Sequence, residues 1–119
     1  MQTSTRVNER AAVAASGSPV AILAFAGDIS SASKDAVLGA WHGLNGSASH
    51  VMLDFTGVDY INSSGMAIII QMLLEAGKAG TRTIGIFGLT PHFNKVFTMV
   101  GINKYAALHK DEVAALAAV

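Results

Sequence analysis

The side chains best suited to chemistry in this sequence are the serines of the tetrapeptide Asn62-Ser63-Ser64-Gly65. A serine hydroxyl can act as a nucleophile, accept a phosphoryl group, or accept a hydrogen bond from an unpaired amide at the start of a helix. Nucleophilic catalysis needs a base, and the sequence places no histidine or lysine near Ser63 and no oxyanion-hole motif beside it. Helix capping and modification by another enzyme remain, and the two roles can coexist.

Other catalytic, metal-binding and cofactor-binding patterns are missing from the sequence. The chain has no cysteine, and none of its histidines shows metal-ligand spacing or belongs to a catalytic constellation: His42, His50, His92 and His109. Gly77-Lys78 is followed by alanine rather than by serine or threonine, and no GxGxxG motif occurs. We therefore expect a noncatalytic protein without a metal or a nucleotide cofactor.

Length and charge narrow the class of protein further. The 119 residues, about half of them hydrophobic, suit one compact domain. Eight basic and eight acidic side chains give a formal charge of zero, which indicates no nucleic-acid partner. The N-terminus is polar, and the longest apolar run, over residues 66–74, is much shorter than the roughly 20 residues that cross a bilayer. We expect a cytoplasmic protein that does not insert into the membrane.

Hydrophobic runs and turn residues predict the elements that position the two serines. Continuous or alternating apolar runs predict strands at residues 5–15, 20–25, 50–55, 83–87 and 105–108. A helix is predicted between the serines at 30–33 and Asn45-Gly46, and another at 64–78, where Gln71, Glu75 and Lys78 form one polar stripe. Thr90-Pro91 begins a third helix, and residues 111–119 form a fourth that faces inward through Val113 and Leu116.

This order, ββαβαβαβα, predicts a single α/β domain with a mixed, mostly parallel sheet and about four helices. We assign the domain to residues 1–119 and expect a flexible N-terminus over residues 1–4. The first hairpin is antiparallel, and the later strands are parallel. Functional loops gather after the C-terminal ends of parallel strands, so Asp28, residues 59–64 and residues 88–91 are expected at one edge. Asp54 and Asp59 are interpreted as residues that hydrogen-bond nearby backbone amides.

The segment DFTGVDYINSSGMA at residues 54–67 resembles the signature of STAS domains, specifically of bacterial anti-sigma-factor antagonists. The turn Gly27-Asp28-Ile29 resembles the Gly-Glu-Leu-Asp-type turn of that family, and residues 91–102 are similar to its third-helix region. The resemblance covers almost the whole chain. Two positions depart from it: Asn62 stands where the family often has aspartate, and the Gly27 turn lacks the glutamate.

The resemblance implies that Ser63 is the phosphoacceptor of an anti-sigma factor that is also a GHKL-type serine kinase. A PP2C-type phosphatase would reverse the modification, and the unphosphorylated chain would bind the anti-sigma factor and release a sigma factor or another target. Around Ser63 we expect a partner-binding surface made of Asp28, Asn62, Ser64, Gly65, Met66 and Ile69. The alternative within the same resemblance is a scaffold or a transporter-associated regulatory subunit without phosphorylation. A homodimer is left open.

Overall fold

The computed structural model describes residues 4–44, 48–80 and 82–119. Its strands are β1 (Arg6–Val13), β2 (Pro19–Ile29), β3 (His50–Ile61), β4 (Thr83–Phe87) and β5 (Ala107–His109), and its helices are α1 (Lys34–His42), α2 (Ser63–Ala79), α3 (Pro91–Met99) and α4 (Glu112–Ala117). The element order ββαβαβαβα confirms the predicted fold class. The expected flexibility of residues 1–3 and the predicted helix end at residues 45–46 lie outside the described residues.

The five strands form one mixed sheet in which each strand pairs with its sequence neighbour, in the order β1-β2-β3-β4-β5. The β1–β2 pair is antiparallel, and the other three pairs are parallel. Crossovers between parallel strands are almost always right-handed, so strands added in one direction carry their connecting helices on one face. The helices α1, α2 and α3 accordingly share one large core with the sheet.

Each face of the sheet has its own apolar core. On the three-helix face, the rings of Phe25 and Phe55 stack with centroids 5.0 Å apart, and Phe97 of α3 meets Phe55 edge-on at 5.7 Å. On the opposite face, the short helix α4 covers a smaller cluster through Ala115. The sheet residues of this cluster are Val20, Ile22, Met52 and Phe87. Within the described ranges, no helix combines the length and apolar character that a membrane crossing requires.

Strand β3 extends further than the sequence predicts. Residues 56–61 were expected to form a loop, but they continue the strand and pair with the end of β2. The pairing has two register shifts, one between Ala24 and Ala26 and one between Gly27 and Asp28. Gly57 fits beside β2 because it has no Cβ, and a Cβ there would lie 3.1 Å from the carbonyl oxygen of Phe25. The extension brings the chain directly to the start of α2.

The C-terminal helix α4 occupies the predicted position, but only one of the two predicted inward residues faces the core. Asp111 caps it, since its Oδ1 accepts a hydrogen bond of 2.9 Å from the amide of Ala114. The prediction that Val113 faces inward is wrong, because Val113 is 78% exposed and Ala115 is the buried residue. Leu116 does face inward, since it packs, partly buried, against the smaller cluster. The amide of Ala15 donates a hydrogen bond of 2.9 Å to the carbonyl of Leu116, which ties α4 to the β1–β2 hairpin.

Candidate functional site

The start of α2 is capped by Asn62. Its backbone is extended, with φ −90° and ψ 179°, and its Oδ1 accepts a hydrogen bond of 2.8 Å from the amide of Gly65. Ser63 is the first helical residue, so the capping role that we considered for Ser63 belongs to its neighbour. Asparagine and aspartate are about equally good N-caps, and Asn62 therefore retains the cap without adding a negative charge.

The side chain of Ser63 is exposed at the N-terminal end of α2. Within the part of the chain that the structure describes, its hydroxyl makes no hydrogen bond. The positive end of the helix dipole favours negative charge at this position. A group attached to Ser63 would therefore break no capping bond, and an anionic one would meet a favourable backbone field. The phosphoacceptor role itself stays a prediction.

Close packing against β2 fixes the position of this helix start. The amide of Asn62 donates a hydrogen bond of 3.1 Å to the carbonyl oxygen of Ile29. Gly65 is buried against the same peptide group, and a Cβ on Gly65 would lie 2.5 Å from the carbonyl carbon of Ile29 and closer still to its oxygen. Only glycine leaves room for this approach. The position of Ser63 relative to the sheet thus depends on Gly65.

A groove of about 330 Å³ runs beside Ser63, between the start of α2 and α3. Tyr60, at the end of β3, is 56% exposed, and its ring meets the ring of Phe93 with centroids 6.2 Å apart. Most of the lining side chains are apolar, which suits a site for apolar groups of a ligand or partner. The lining residues are Tyr60, Ile61, Asn62, Ser63, Met66, His92, Phe93, Val96 and Val100.

The structure brings some of the predicted site residues together and separates others. Asn62, Ser63 and Met66 all line the groove, while Ser64 is exposed one position further along α2. Ile69 is fully buried in the core shared with the sheet. The expectation that Ile69 meets a partner is therefore corrected, because its side chain lies one turn from Gly65 on the face of α2 that packs inward. Gly65 is likewise buried and contributes close packing rather than exposed surface.

Asp28 lies at the same end of the sheet but lines a different cavity. Its register partner on β3 is Tyr60, which faces the groove beside Ser63. Asp28 instead lines a polar cavity of about 180 Å³ together with Thr5 and Ser33. The hydroxyl of Thr5 donates a hydrogen bond of 2.6 Å to the carbonyl oxygen of Asp28. A partner contact by Asp28 would therefore be separate from the groove.

Sequence reasoning missed most of the groove wall that α3 contributes. The three-and-four spacing of Phe93, Val96, Phe97 and Val100 predicts one apolar face for α3. The structure divides these residues, because Phe97 is fully buried in the core while Val96 and Val100 line the groove. Tyr60 belongs to residues 59–64, which were expected at the functional edge, but it was not named as a partner-binding residue. The sequence carried no separate signal for this division, because positions i, i+3, i+4 and i+7 are the pattern of a single buried helix face.

The charged groups on the other face of the sheet have structural roles. Asp54 accepts a hydrogen bond of 2.9 Å from the amide of Thr56, as its expected turn role requires. Arg10 forms a two-point ion pair with Glu112 of α4 and lies 3.9 Å from Asp54. Hydrogen bonds from Arg10 hold the pKa of Glu112 below its ordinary value. No group of side chains among the described residues is suited to hold a metal ion.

The sequence matches the domain family described as "Mlab, STAS domain" over residues 11–110. The chain belongs to the STAS domain family. No curated protein sequence matches it significantly. The architecture described above, with a helix starting directly after the third strand, is thus that of a STAS domain, and Asn62-Ser63-Ser64-Gly65 is the start of its second helix.

Solved structures share this STAS fold at low sequence identity. An anti-sigma factor antagonist from Mycobacterium paratuberculosis is 19% identical, with a TM-score of 0.79 over 100% of this chain and 98% of that one. A sulfate transporter family protein from Wolinella succinogenes is 17% identical, with a TM-score of 0.65 over 81% and 82%. The Bacillus cell fate determinant SpoIIAA, in its phosphorylated form, is 15% identical, with a TM-score of 0.55 over 91% and 96%.

Proposed function

We propose that this STAS domain is an anti-sigma-factor antagonist whose partner binding is switched by phosphorylation of Ser63. The unphosphorylated chain binds an anti-sigma factor that is also a GHKL-type serine kinase, and this binding releases a sigma factor or another target. A PP2C-type phosphatase restores the binding form. The chain is the substrate of both enzymes and catalyses neither reaction.

The observation that carries this proposal is the position of Ser63 at the rim of the apolar groove. Its side chain is exposed, and it does not cap the helix because Asn62 does. The fold similarity to an anti-sigma factor antagonist, and to SpoIIAA in its phosphorylated form, supports the same interpretation. A kinase needs an accessible hydroxyl whose modification does not unfold its substrate. Ser63 meets both conditions, because the cap bond uses the side chain of its neighbour.

Charge and desolvation explain how the switch would act. A phosphate adds a charge of about −1.5 to −2 at neutral pH. The helix dipole stabilises that charge in the free domain, so the fold is retained. A partner that packs into the groove over Met66 and Tyr60 would have to remove water from the phosphate, which costs free energy unless the partner supplies cations. Phosphorylation therefore weakens binding rather than folding.

The test is phosphorylation of the purified chain by a GHKL-type serine kinase that binds it, with ATP and Mg²⁺. We expect one phosphate per chain by intact mass, none on Ser63→Ala, and a loss of kinase binding of ~10-fold or more, or about 1.4 kcal/mol, after modification. Ser63→Ala should change the free energy of unfolding by less than about 0.5 kcal/mol, because the residue is exposed.

Ser64→Ala is the matched control, since Ser64 is exposed in the same helical turn. It should be phosphorylated like the wild-type chain. If Ser63→Ala still takes up phosphate, or if only Ser64→Ala fails to take it up, Ser63 is not the phosphoacceptor and the proposal is overturned.

A second candidate is a transporter-associated STAS subunit that uses the groove without phosphorylation. The observation that favours it is the fold similarity to the sulfate transporter family protein. This candidate predicts binding to a transporter subunit that is the same for the wild-type chain and for Ser63→Glu. A Ser63→Glu chain that loses such binding would count against it.

A further inference from the structure

The charges of this chain are unevenly distributed along the sequence, although their sum is zero. Residues 76–110 contain five of the eight lysines and arginines and none of the eight aspartates and glutamates. The helix α3 (Pro91–Met99) lies inside this acid-free stretch. Helix α3 and the turn that follows it therefore contribute basic side chains to the surface of the domain and no carboxylates.

Helix α3 has an apolar surface on its outer side as well as on its inner side. Phe93 and Phe97 are buried in the core. An outer stripe follows spacings of three and four residues, which place its members on one face. Met99 and Val100 on this stripe are 75% and 49% exposed. The α3 stripe consists of His92, Lys95, Val96, Met99 and Val100.

Two lysines accompany these apolar side chains. Lys95 lies within the α3 stripe, and Lys104 follows in the turn after Gly101. The Cδ and Cε atoms of Lys104 come within 3.8 Å of the position of a Cβ on Gly101, so this side chain folds back toward the end of α3. Neither lysine has a carboxylate within 4.0 Å in the described ranges of the chain. Both ammonium groups are therefore available to an outside partner.

We propose that the α3 stripe, together with Lys104, docks an acidic amphipathic helix of the partner protein. Apolar side chains of that helix would cover Val96, Met99 and Val100, and its carboxylates would pair with Lys95 and Lys104. Such packing of an amphipathic helix on an apolar surface is a common mode of recognition. A helix flanked by lysines would instead place like charges together, which the docking surface disfavours.

This inference rests on the proposed function, because the stripe continues into the groove beside Ser63 through Val96 and Val100. A phosphate on Ser63 repels a partner only where that partner carries negative charge. An acidic helix lying on α3 supplies that charge at the groove. The two lysines would thus attract the same segment that phosphorylated Ser63 repels.

The experiment uses two synthetic amphipathic peptides that share the same leucine stripe, one with glutamate and one with lysine at the flanking positions. Amide chemical shifts of the isotope-labelled chain report where each peptide binds. We expect the glutamate peptide to shift signals of α3 and of residues 100–105, and the lysine peptide to bind ~10-fold or more weakly. Equal affinities, or shifts confined to another surface, would overturn the inference.

Charge-reversal variants test the role of the lysines. Lys95→Glu/Lys104→Glu should weaken binding of the glutamate peptide by ~10-fold or more. Lys34→Glu/Lys78→Glu, which changes the net charge equally at exposed positions on α1 and α2, should stay within about twofold, because these lysines are not part of the α3 stripe and salt screens exposed charges that do not contact the peptide. If both double variants lose the same affinity for the glutamate peptide, the effect is due to net charge and the docking surface is refuted.

Two further measurements separate this inference from the proposed function and from lipid binding. If Ser63→Glu leaves peptide binding unchanged while the α3 variants weaken it, the docking surface stands and the gate at Ser63 fails. If Ser63→Glu also weakens binding, both are supported. Vesicles of phosphatidylglycerol and phosphatidylcholine provide the last arm: binding to them, without any response to the glutamate peptide, would assign the surface to a membrane and overturn the proposal.

Discussion

Replacing Gly65 by alanine should separate α2 from β2 at the point that positions Ser63. The added Cβ would lie 2.5 Å from the carbonyl carbon of Ile29 and 3.0 Å from its Cγ2. Ile29 is fully buried in the sheet, so its backbone cannot move aside easily. The helix start must shift, and the hydrogen bond from the amide of Asn62 to Ile29 lengthens with it.

The magnitude follows from three contributions. Inserting a methyl group into a packed site costs about 1–3 kcal/mol. Weakening the hydrogen bond between Asn62 and Ile29 costs up to about 0.5–1.5 kcal/mol. The higher helix propensity of alanine returns about 0.5–1 kcal/mol. We expect Gly65→Ala to lower the free energy of unfolding by about 2 kcal/mol, in keeping with strong overpacking.

Gly77 provides a matched control in the same helix. It is exposed, and a Cβ there meets no other atom within 4 Å. Gly77→Ala should therefore stabilise the domain by up to about 1 kcal/mol, because only the helix-propensity gain applies. The assay is urea denaturation of both variants and the wild-type chain, comparing midpoints at a common m-value.

The two substitutions are chemically identical, so a difference in sign isolates the contact with Ile29. A Gly65→Ala chain as stable as Gly77→Ala would refute the close approach described above. A destabilised Gly65→Ala chain that is still phosphorylated at the wild-type rate would refute the inference that Gly65 positions Ser63.

Two further predictions concern the cap of α2 and the ion pair of α4. Asn62→Ala should lower the free energy of unfolding by about 1 kcal/mol, whereas Asn62→Asp should retain the cap; equal losses in urea denaturation would contradict this assignment. Hydrogen bonds from Arg10 lower the pKa of Glu112 in the folded chain. The ion pair therefore stabilises the fold above the ordinary glutamate pKa, and this stabilisation is lost as pH falls through the lowered pKa of the folded state. Glu112→Gln should remove that part of the acid dependence, roughly 0.2–1 kcal/mol for an exposed pair, measured between about pH 7 and about pH 3. An unchanged pH dependence would show that the pair contributes nothing.

The element order was predictable because each strand and helix carries its own periodic signal. The polar stripe of Gln71, Glu75 and Lys78 identified α2, and continuous apolar runs identified β2 and β4. The added length of β3 was not predictable, because residues 56–61 pair with β2 through two register shifts that depend on tertiary contacts. Val113 was misassigned for a related reason, since six residues of helix give too short a pattern to fix the inward face.

The candidate site was predictable at Asn62, Ser63 and Met66, but the rest of the groove wall was not. The sequence showed a serine at a helix start. It did not show whether the helix begins at Ser63 or one residue later, and that difference decides whether Asn62 or Ser63 is the cap. The burial of Ile69 depends on how α2 is rotated against the sheet, which a nearly all-apolar helix does not reveal. Tyr60 and Val100 enter the groove through the approach of β3 and α3, which are distant in sequence.

The sequential strand order has a consequence for how the chain assembles. Each strand finds its neighbour among the residues next to it in sequence, so the sheet can grow from one strand to the next with short loop closures and modest entropy losses. The bond between Arg10 and Glu112 spans 102 residues and joins two partly exposed side chains. We expect contacts of that range to form after the local ones, so that α4 closes over a sheet that is already built.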